Sequence, residues 1–594
     1  MKYKIIILFL FSSLIASGQD KNYYVKTGGN DGLDGESIAN AWATIAKVNS
    51  PGFTYQPDDT ISLSCDNTWK ERLLPVGDGT SGHPIVFTAY GTGAKPILTG
   101  RDTISGWSRD ANWTDSSDVY YMSTASMSLP SYTSINRLWL NGTEVRRTKT
   151  LAGINDMNIF YYCAPLERLY LHVATNPGAT YTSIETFHIR NNAVFLLTDN
   201  YFTFKNIDFQ GGWMCVYISD SDHTTFDSCN IGKYTGGYGI WAAGSNSIDY
   251  TTVQDCVFDT DMTIEYTEAG MYGPWYGIGM DNVSSEWDIK DSYFKNWTYG
   301  AIVYVLYLDD GDMITNLKVH GNYITSPDVA EGKPFGINLP DGCGTGHEFY
   351  DNIIYDCAVG AQMTGKGWKF YNNLINTIRG APFFTTVSLS GMILSNNTYH
   401  TSYYTSTEDC EIYNNTIVNC AGPGIYIGGN NVNAFTRNNK FINNILYNNN
   451  AAQGYQLQIR DYTGVGNQVY KNNLIYKSGT SDIVYYGIDA ANDYPHTITE
   501  FNAEHLVEGD TILNNIGVDP IFTDALNNDF TLVTGSPAID AGIDVGLSYN
   551  GSAPDLGAYE TDPAIPPTTT RAFSKDASGV FLKNITGTKF MKIE

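Results

Sequence analysis

The sequence predicts an all-β chain wound as a right-handed parallel β-helix, a solenoid with an N-terminal cap helix and a β-rich insertion. Composition is the first sign. Gly 58, Tyr 43 and abundant Asn accompany only 16% charged residues, a profile rich in turns and strands and poor in surface helix. The second sign is a repeat. Eleven four-residue segments recur between Phe204-Lys205-Asn206-Ile207 and Lys471-Asn472-Asn473-Leu474, and the third residue is Asn in nine of them, with Cys256 and Ser292 as the exceptions. Steps of 18 to 36 residues suit one coil of three short strands joined by turns of variable length. In such a turn Asn is expected to take the left-handed conformation while its amide bonds to the Asn above and below, making a ladder along the stack.

The third sign follows each ladder turn. Gly239-Ile240-Trp241-Ala242, Gly277-Ile278-Gly279-Met280, Gly336-Ile337-Asn338-Leu339 and Gly424-Ile425-Tyr426-Ile427 set a Gly before alternating apolar residues. Period two turns Ile and Leu inward, so the residues between them line the outer face. Tyr217, Trp241, Gly279, Asp281, Asn338, Gln362, Tyr426 and Gln458 are therefore expected to form one exposed stripe, with rings to stack on sugar C–H faces and amides to bond hydroxyls.

The elements follow in chain order. Residues 1–18 carry Lys2 and Lys4, an apolar run from Ile5 to Ile15 and Ala16-Ser17-Gly18, the layout of a signal peptide, so export to the periplasm or the extracellular space is expected. The run is too short to span a bilayer and no lipoprotein cysteine follows it. Residues 19–105 read as the cap and first coils, 106–185 as the insertion, and 186–500 as the laddered coils. Residues 501–560 read as a closing segment over the last coil, and 561–594 as a linker and small tail after Pro566-Pro567. Nine cysteines leave at least one thiol free, and Cys229, Cys256, Cys357 and Cys420 fall at similar places in the repeat, where a small buried thiol packs well.

Both ends carry a further signal. Tyr23-Tyr24-Val25-Lys26-Thr27-Gly28-Gly29-Asn30-Asp31-Gly32 with Ala41-Trp42-Ala43-Thr44-Ile45-Ala46 resembles the entry strand and capping helix of the pectate-lyase-like β-helix superfamily. Gly535-Ser536-Pro537-Ala538-Ile539-Asp540-Ala541-Gly542 and Asp555-Leu556-Gly557-Ala558-Tyr559-Glu560 resemble the closing segment of its secreted members. The resemblance spans about 20 to 560. It implies a substrate groove along the Gly-Ile strands, walled by the loops before them, and a polysaccharide partner.

A formal net charge of −27 argues against nucleic acid, which needs a basic footprint, and against anionic membrane surfaces. No membrane insertion is expected, and a monomer is. Glycoside hydrolysis needs two carboxyl groups flanking the scissile bond, one protonated and one ionised. The segment from Asp259 to Trp275, leading into the strand that ends at Asp281, supplies Glu265, Glu268 and Asp281 as catalytic candidates. Tyr217, Trp241, Asn338, Gln362, Tyr426, Lys333 and Arg379 are the substrate-binding candidates. A lyase would instead use a base beside a uronic carboxylate, for which Lys233, Lys295, Lys333 and Arg379 are placed before groove strands. A glycan-binding or adhesin role is the non-enzymatic alternative. No cofactor is required; Asp309, Asp310 and Asp312 crowd acidic oxygens into one turn that suits calcium.

Overall fold

The computed structural model describes residues 20–110, 119–125, 135, 137–148, 150–154, 158–187, 192–262, 274–281, 284–305, 314–326, 335–339, 344–376, 389–396, 406–429, 435–450, 453–460, 465–487, 493–503, 509–561, 574–575, 581–585 and 589–592. Three long sheets run the length of the coil, here called first, second and third in the order the chain meets them on each turn. They hold 14, 12 and 12 strands, paired in parallel except for the terminal strand Asp493–His496 of the third, which is antiparallel. The architecture is a right-handed parallel β-helix, the hand that parallel crossovers take.

Alternation places the core. Phe204, Phe226, Val253 and Ile289 stack in register in the first sheet, Phe209, Ile231 and Phe258 in the second, and Val216, Ile240, Ile278 and Ile302 in the third. All are at most 1% exposed, and they join one continuous core. Each such side chain contributes roughly 1.5–3 kcal/mol on burial. The recurring Gly answers to coil spacing. A Cβ at Gly277 would lie 2.3 Å from the Ala301 carbonyl oxygen, at Gly336 2.5 Å from that of Gly360, and at Gly360 2.3 Å from that of Gly391. Any side chain there would push successive coils apart.

The Asn turn divides its work between two residues. The left-handed one precedes the ladder Asn: Asp351, Asn372, Asn414, Asn443 and Asn472 have φ between 51° and 56°. The next residue is the rung. From Asn322 through Asn352, Asn373, Asn415, Asn444 and Asn473 to Asn515, each Nδ2 donates to the following Oδ1 at 2.9–3.0 Å. All seven are almost fully buried. The expectation that one Asn does both jobs is thus corrected for this ladder, the rung standing one residue after the left-handed position, although the left-handed Asn443 also donates Nδ2 to Asn414 Oδ1 at 3.1 Å. Three repeat segments change register with it. Asn206 is itself the left-handed residue; Asn230 opens a strand, the rung on its coil being Cys229; and in Ser395-Asn396-Asn397-Thr398, Asn396 ends the third-sheet strand Met392–Asn396 while Asn397 lies outside the described residues. Leu513-Asn514-Asn515-Ile516 adds a coil that the repeat had not included.

At Cys256 and Ser292 the ladder continues through other atoms. Cys229 N–H donates to Cys256 Sγ at 3.4 Å, Cys256 N–H to Ser292 Oγ at 3.1 Å, and Ser292 N–H to Asn322 Oδ1 at 3.0 Å. Cys229, Cys256, Cys357 and Cys420 are all buried, as expected of packing thiols, and the described cysteines form no disulfide.

Helix Ile45–Asn49 closes the N-terminal end, with Thr44 capping Lys47 N–H and Ile45 and Val48 in the core. The far end differs from expectation. The last rung, Asn515, donates to Asn502 of helix Ile498–Ala503, and Phe501 of that helix meets Tyr470 edge-on, so this helix covers the coil. The segment ending in Glu560 instead folds back along the second sheet. Gly557 N–H bonds Asn443 O, Ala558 N–H bonds Thr416 Oγ1, and Leu532, Ala538 and Leu556 pack on Ile445 and Leu474. The reason is that the outer second sheet is apolar there and needs a cover.

The insertion, joined by strand Arg101–Thr103 just before it, has an antiparallel sheet of four strands and a mixed sheet of five, in which Arg146–Arg147 pairs in parallel with Ile159–Cys163, around its own apolar cluster. It grips the coil through Arg137, which is fully buried, makes a two-pronged pair with Glu144 at 2.6 and 2.9 Å, and donates to the carbonyls of Thr235 and Thr260. These two carbonyls lie just before strand Tyr238–Ala243 and before the segment bearing Glu265.

Candidate functional site

Register places the predicted stripe in one column on the outer third sheet. Phe195, Tyr217, Trp241 and Gly279 stand opposite one another, and Asn338, Gln362, Ile393, Tyr426, Gln458 and Tyr485 continue the line. The stripe is not uniformly exposed. Trp241 is 7% exposed, Asn338 4% and Gln458 2%, whereas Tyr217, Gln362 and Tyr426 are half-buried.

The cover over Trp241 is aromatic. Tyr238 lies 4.4 Å from its ring and stacks on Tyr276 at 5.8 Å; Trp213 meets Trp275 edge-on at 5.2 Å; and Tyr299 packs on Tyr276 at 5.9 Å. The Trp241 indole in turn lies on Gly279, where a Cβ would come 2.7 Å from Cε3. Trp213, Tyr238, Trp275, Tyr276 and Tyr299 were not among the predicted binding residues. Their signal was available, since each opens or immediately precedes a third-sheet strand. Trp275 Nε1 is buried without a hydrogen-bond partner among the described residues.

Along the second half, Asn338 Oδ1 is likewise buried with no partner among the described residues, an acceptor beside Gln362. A lone buried acceptor costs on the order of 1–3 kcal/mol unless water or a ligand hydroxyl meets it. Tyr426 lies along its own strand over Gly428, with Oη 2.6 Å and Cε1 2.8 Å from where a Gly428 Cβ would stand.

Of the acids, Asp281 ends strand Tyr276–Asp281 opposite Ala243, on the coil after Trp241. Glu265 and Glu268 lie outside the described residues, as do Lys333, Arg379, Asp309, Asp310 and Asp312. Lys233 pairs with Asp261 at 3.2 Å and Lys295 with Asp259 at 3.7 Å, so both lysines face carboxylates. One acid absent from the predictions has shifted chemistry. Burial, aided by the Asp78 charge, pushes the Asp199 carboxyl up to about 6, at the exit of the first third-sheet strand. Among the described residues no group of three or more His, Cys, Asp or Glu is arranged to hold a metal, and no helix is long and apolar enough to cross a membrane.

No known family profile matches the sequence, and no curated protein does. Among solved structures, the chain is similar to XylC in complex with xylose, at 12% identity over 81% of this chain and 78% of that one, with a TM-score of 0.41. It is also similar to pectate lyase Pel9A, at 14% identity over 92% and 97% with a TM-score of 0.41. A third is the GH136 lacto-N-biosidase from Eubacterium ramulus, at 12% identity over 84% and 67% with a TM-score of 0.35.

Proposed function

We propose that this protein is an exported carbohydrate-active enzyme that hydrolyses glycosidic bonds of a polysaccharide lying along the outer third sheet. One observation carries the reading: aromatic rings and amides stand in a single register column beside the strand that the acid-bearing segment enters. Rings give faces for sugar C–H surfaces, and amides give donors and acceptors for hydroxyls. Hydrolysis is favoured over β-elimination because the segment from Asp259 to Trp275 and the strand it enters carry Glu265, Glu268 and Asp281 in sequence, while Lys233 and Lys295, two of the basic candidates, pair with carboxylates.

In this reading one carboxyl of the three protonates the leaving oxygen and another acts as base or nucleophile. Coils repeat at about 4.8 Å, so a pair on the same or adjacent coils suits retention, and a pair two coils apart suits inversion. The test is incubation with neutral, uronic and sulfated polysaccharides, following reducing ends and the ultraviolet absorbance of unsaturated uronates. Reducing ends without absorbance are expected. New absorbance would mean a lyase, and binding without cleavage would leave a glycan-binding protein.

A further inference from the structure

We infer that the closing segment is a proton-controlled strap: it is held on the coil while its carboxylate knot carries a proton, and it loosens once every carboxylate in the knot is ionised. The strap lies on the second sheet, so the device is independent of any ligand on the third.

Left-handed Asn residues of three successive coils fasten it, the rungs standing one residue later. Asn414 Nδ2 donates to Asp555 O at 3.3 Å and Asn472 Nδ2 to Ala541 O at 2.9 Å, while Asn443 gives Nδ2 to Ile543 O at 2.8 Å and receives Ile543 N–H at 3.0 Å. The fit is close, since a Cβ at Gly557 would lie 2.6 Å from Thr416 Oγ1. Three acids shape the strap from within. Asp540 Oδ1 accepts from Ser552 and Ala553 N–H at 2.8 and 3.2 Å. Asp555 Oδ1 accepts from Asp540 N–H at 2.8 Å, and its Oδ2 accepts from the N–H and hydroxyl of Thr561 at 2.7 and 2.5 Å. Glu560 accepts from Asp555 N–H at 3.0 Å and from Asn550 N–H at 3.3 Å. Asp555 is 1% exposed and Glu560 half-buried. The charges facing Glu560 are the carboxylates of Asp555 and Asp540; among the described residues no Lys, Arg or His pairs with any of the three, and the coil residues bonded to the strap, Asn414, Thr416, Asn443 and Asn472, are neutral. Like charges without a counter-ion in a half-buried loop repel one another. Burial and the Asp555 charge accordingly raise the Glu560 carboxyl to about 7, whereas the Ala553 and Ser552 N–H groups hold Asp540 low. A carboxyl raised on folding from 4.5 to about 7 contributes stability that is complete below 4.5 and lost as pH rises through 7. Loosening uncovers the apolar Ile445 and Leu474 and frees Thr561, where the linker to the tail begins.

The experiment is hydrogen exchange of the full chain, read by mass spectrometry at about pH 5.5 and about pH 8.5 and expressed as protection factors, which divide out the intrinsic effect of pH on exchange. Protection of the amides from Ala538 to Thr561 is expected to be at least about tenfold lower at the higher pH, while strands Glu348–Tyr350 and Lys369–Tyr371 of the coil keep theirs. Glu560→Gln, which cannot ionise, should remove that pH dependence. Equal protection of the native segment at both pH values, or a fall of the same size in Glu560→Gln, would overturn the strap. Where Glu560→Gln leaves the segment unprotected at both, Asp540→Asn decides: it keeps an oxygen for Ser552 and Ala553 N–H but removes one repelling charge, so the fall should move to lower pH. An unmoved fall in that variant would equally overturn the device.

Discussion

From Tyr217 to Tyr299 the outer third sheet is made of rings packed on one another, whereas from Asn338 to Tyr485 it carries amides, tyrosines and one guanidinium. The first half spends its aromatic faces on itself. Trp241 is nearly buried between Gly279 and Tyr238, so it acts as a rigid wall beside the acid-bearing strand. The second half leaves Gln362 and Tyr426 half-buried. The two halves share a scaffold and a column, and under the proposed function the contrast would separate positioning of a reacting bond from recognition of a chain.

The contrast can be broken in order of effect. If chemistry belongs to the first half, Glu268→Gln or Asp281→Asn should lower turnover by about 100-fold to 10,000-fold without altering thermal unfolding, read by reducing-end release. Full activity in both variants would remove the acids from the mechanism. Trp241→Ala should cost about 3–5 kcal/mol in denaturant unfolding, since a buried indole leaves a cavity, whereas Gln362→Ala should stay within about 0.5 kcal/mol and weaken only polymer binding. Comparable losses would show that the second half is also structural. Asn444→Ala should cost about 1–3 kcal/mol by leaving the Asn415 N–H and Nδ2 without their acceptor, checked by the same unfolding curve.

Acid sharpens the comparison on the coil between Asn338 and Gln362. His347 is buried, its Nδ1 accepts from Leu317 N–H, and burial lowers its titration to about 4. The unfolded chain takes up that proton near pH 6.5, while the folded one does not until about 4. Its contribution is therefore complete above 6.5 and lost as pH falls toward 4, on the order of 3 kcal/mol. His347→Gln should flatten the stability profile across that window in acid unfolding. An unchanged slope would place the acid-sensitive group elsewhere.

Much of this was legible in the residues. Asn at the ladder turn and Gly before each groove strand are required by local geometry, a buried amide needing its neighbour and a close coil excluding a Cβ, so they repeat wherever the coil does. Paired Asn residues such as Asn443-Asn444 were visible, but which one is left-handed and which is the rung depended on the turn itself. Cys256 and Ser292 stood outside the Asn pattern, though sulfur and hydroxyl accept the same backbone N–H.

By itself the sequence determined the coil, its inward columns and the line of residues on the third sheet, because period two and coil length are properties of the chain. Tertiary structure decided which of those outward residues meet solvent, since Trp241 is covered by rings from neighbouring coils and no single strand encodes its neighbours. It also decided where the closing segment lies: its apolar residues specify a need for cover, and the exposed apolar stretch of the second sheet supplies the partner. Burial is a property of contacts between distant segments, and periodicity along one of them is silent about the other.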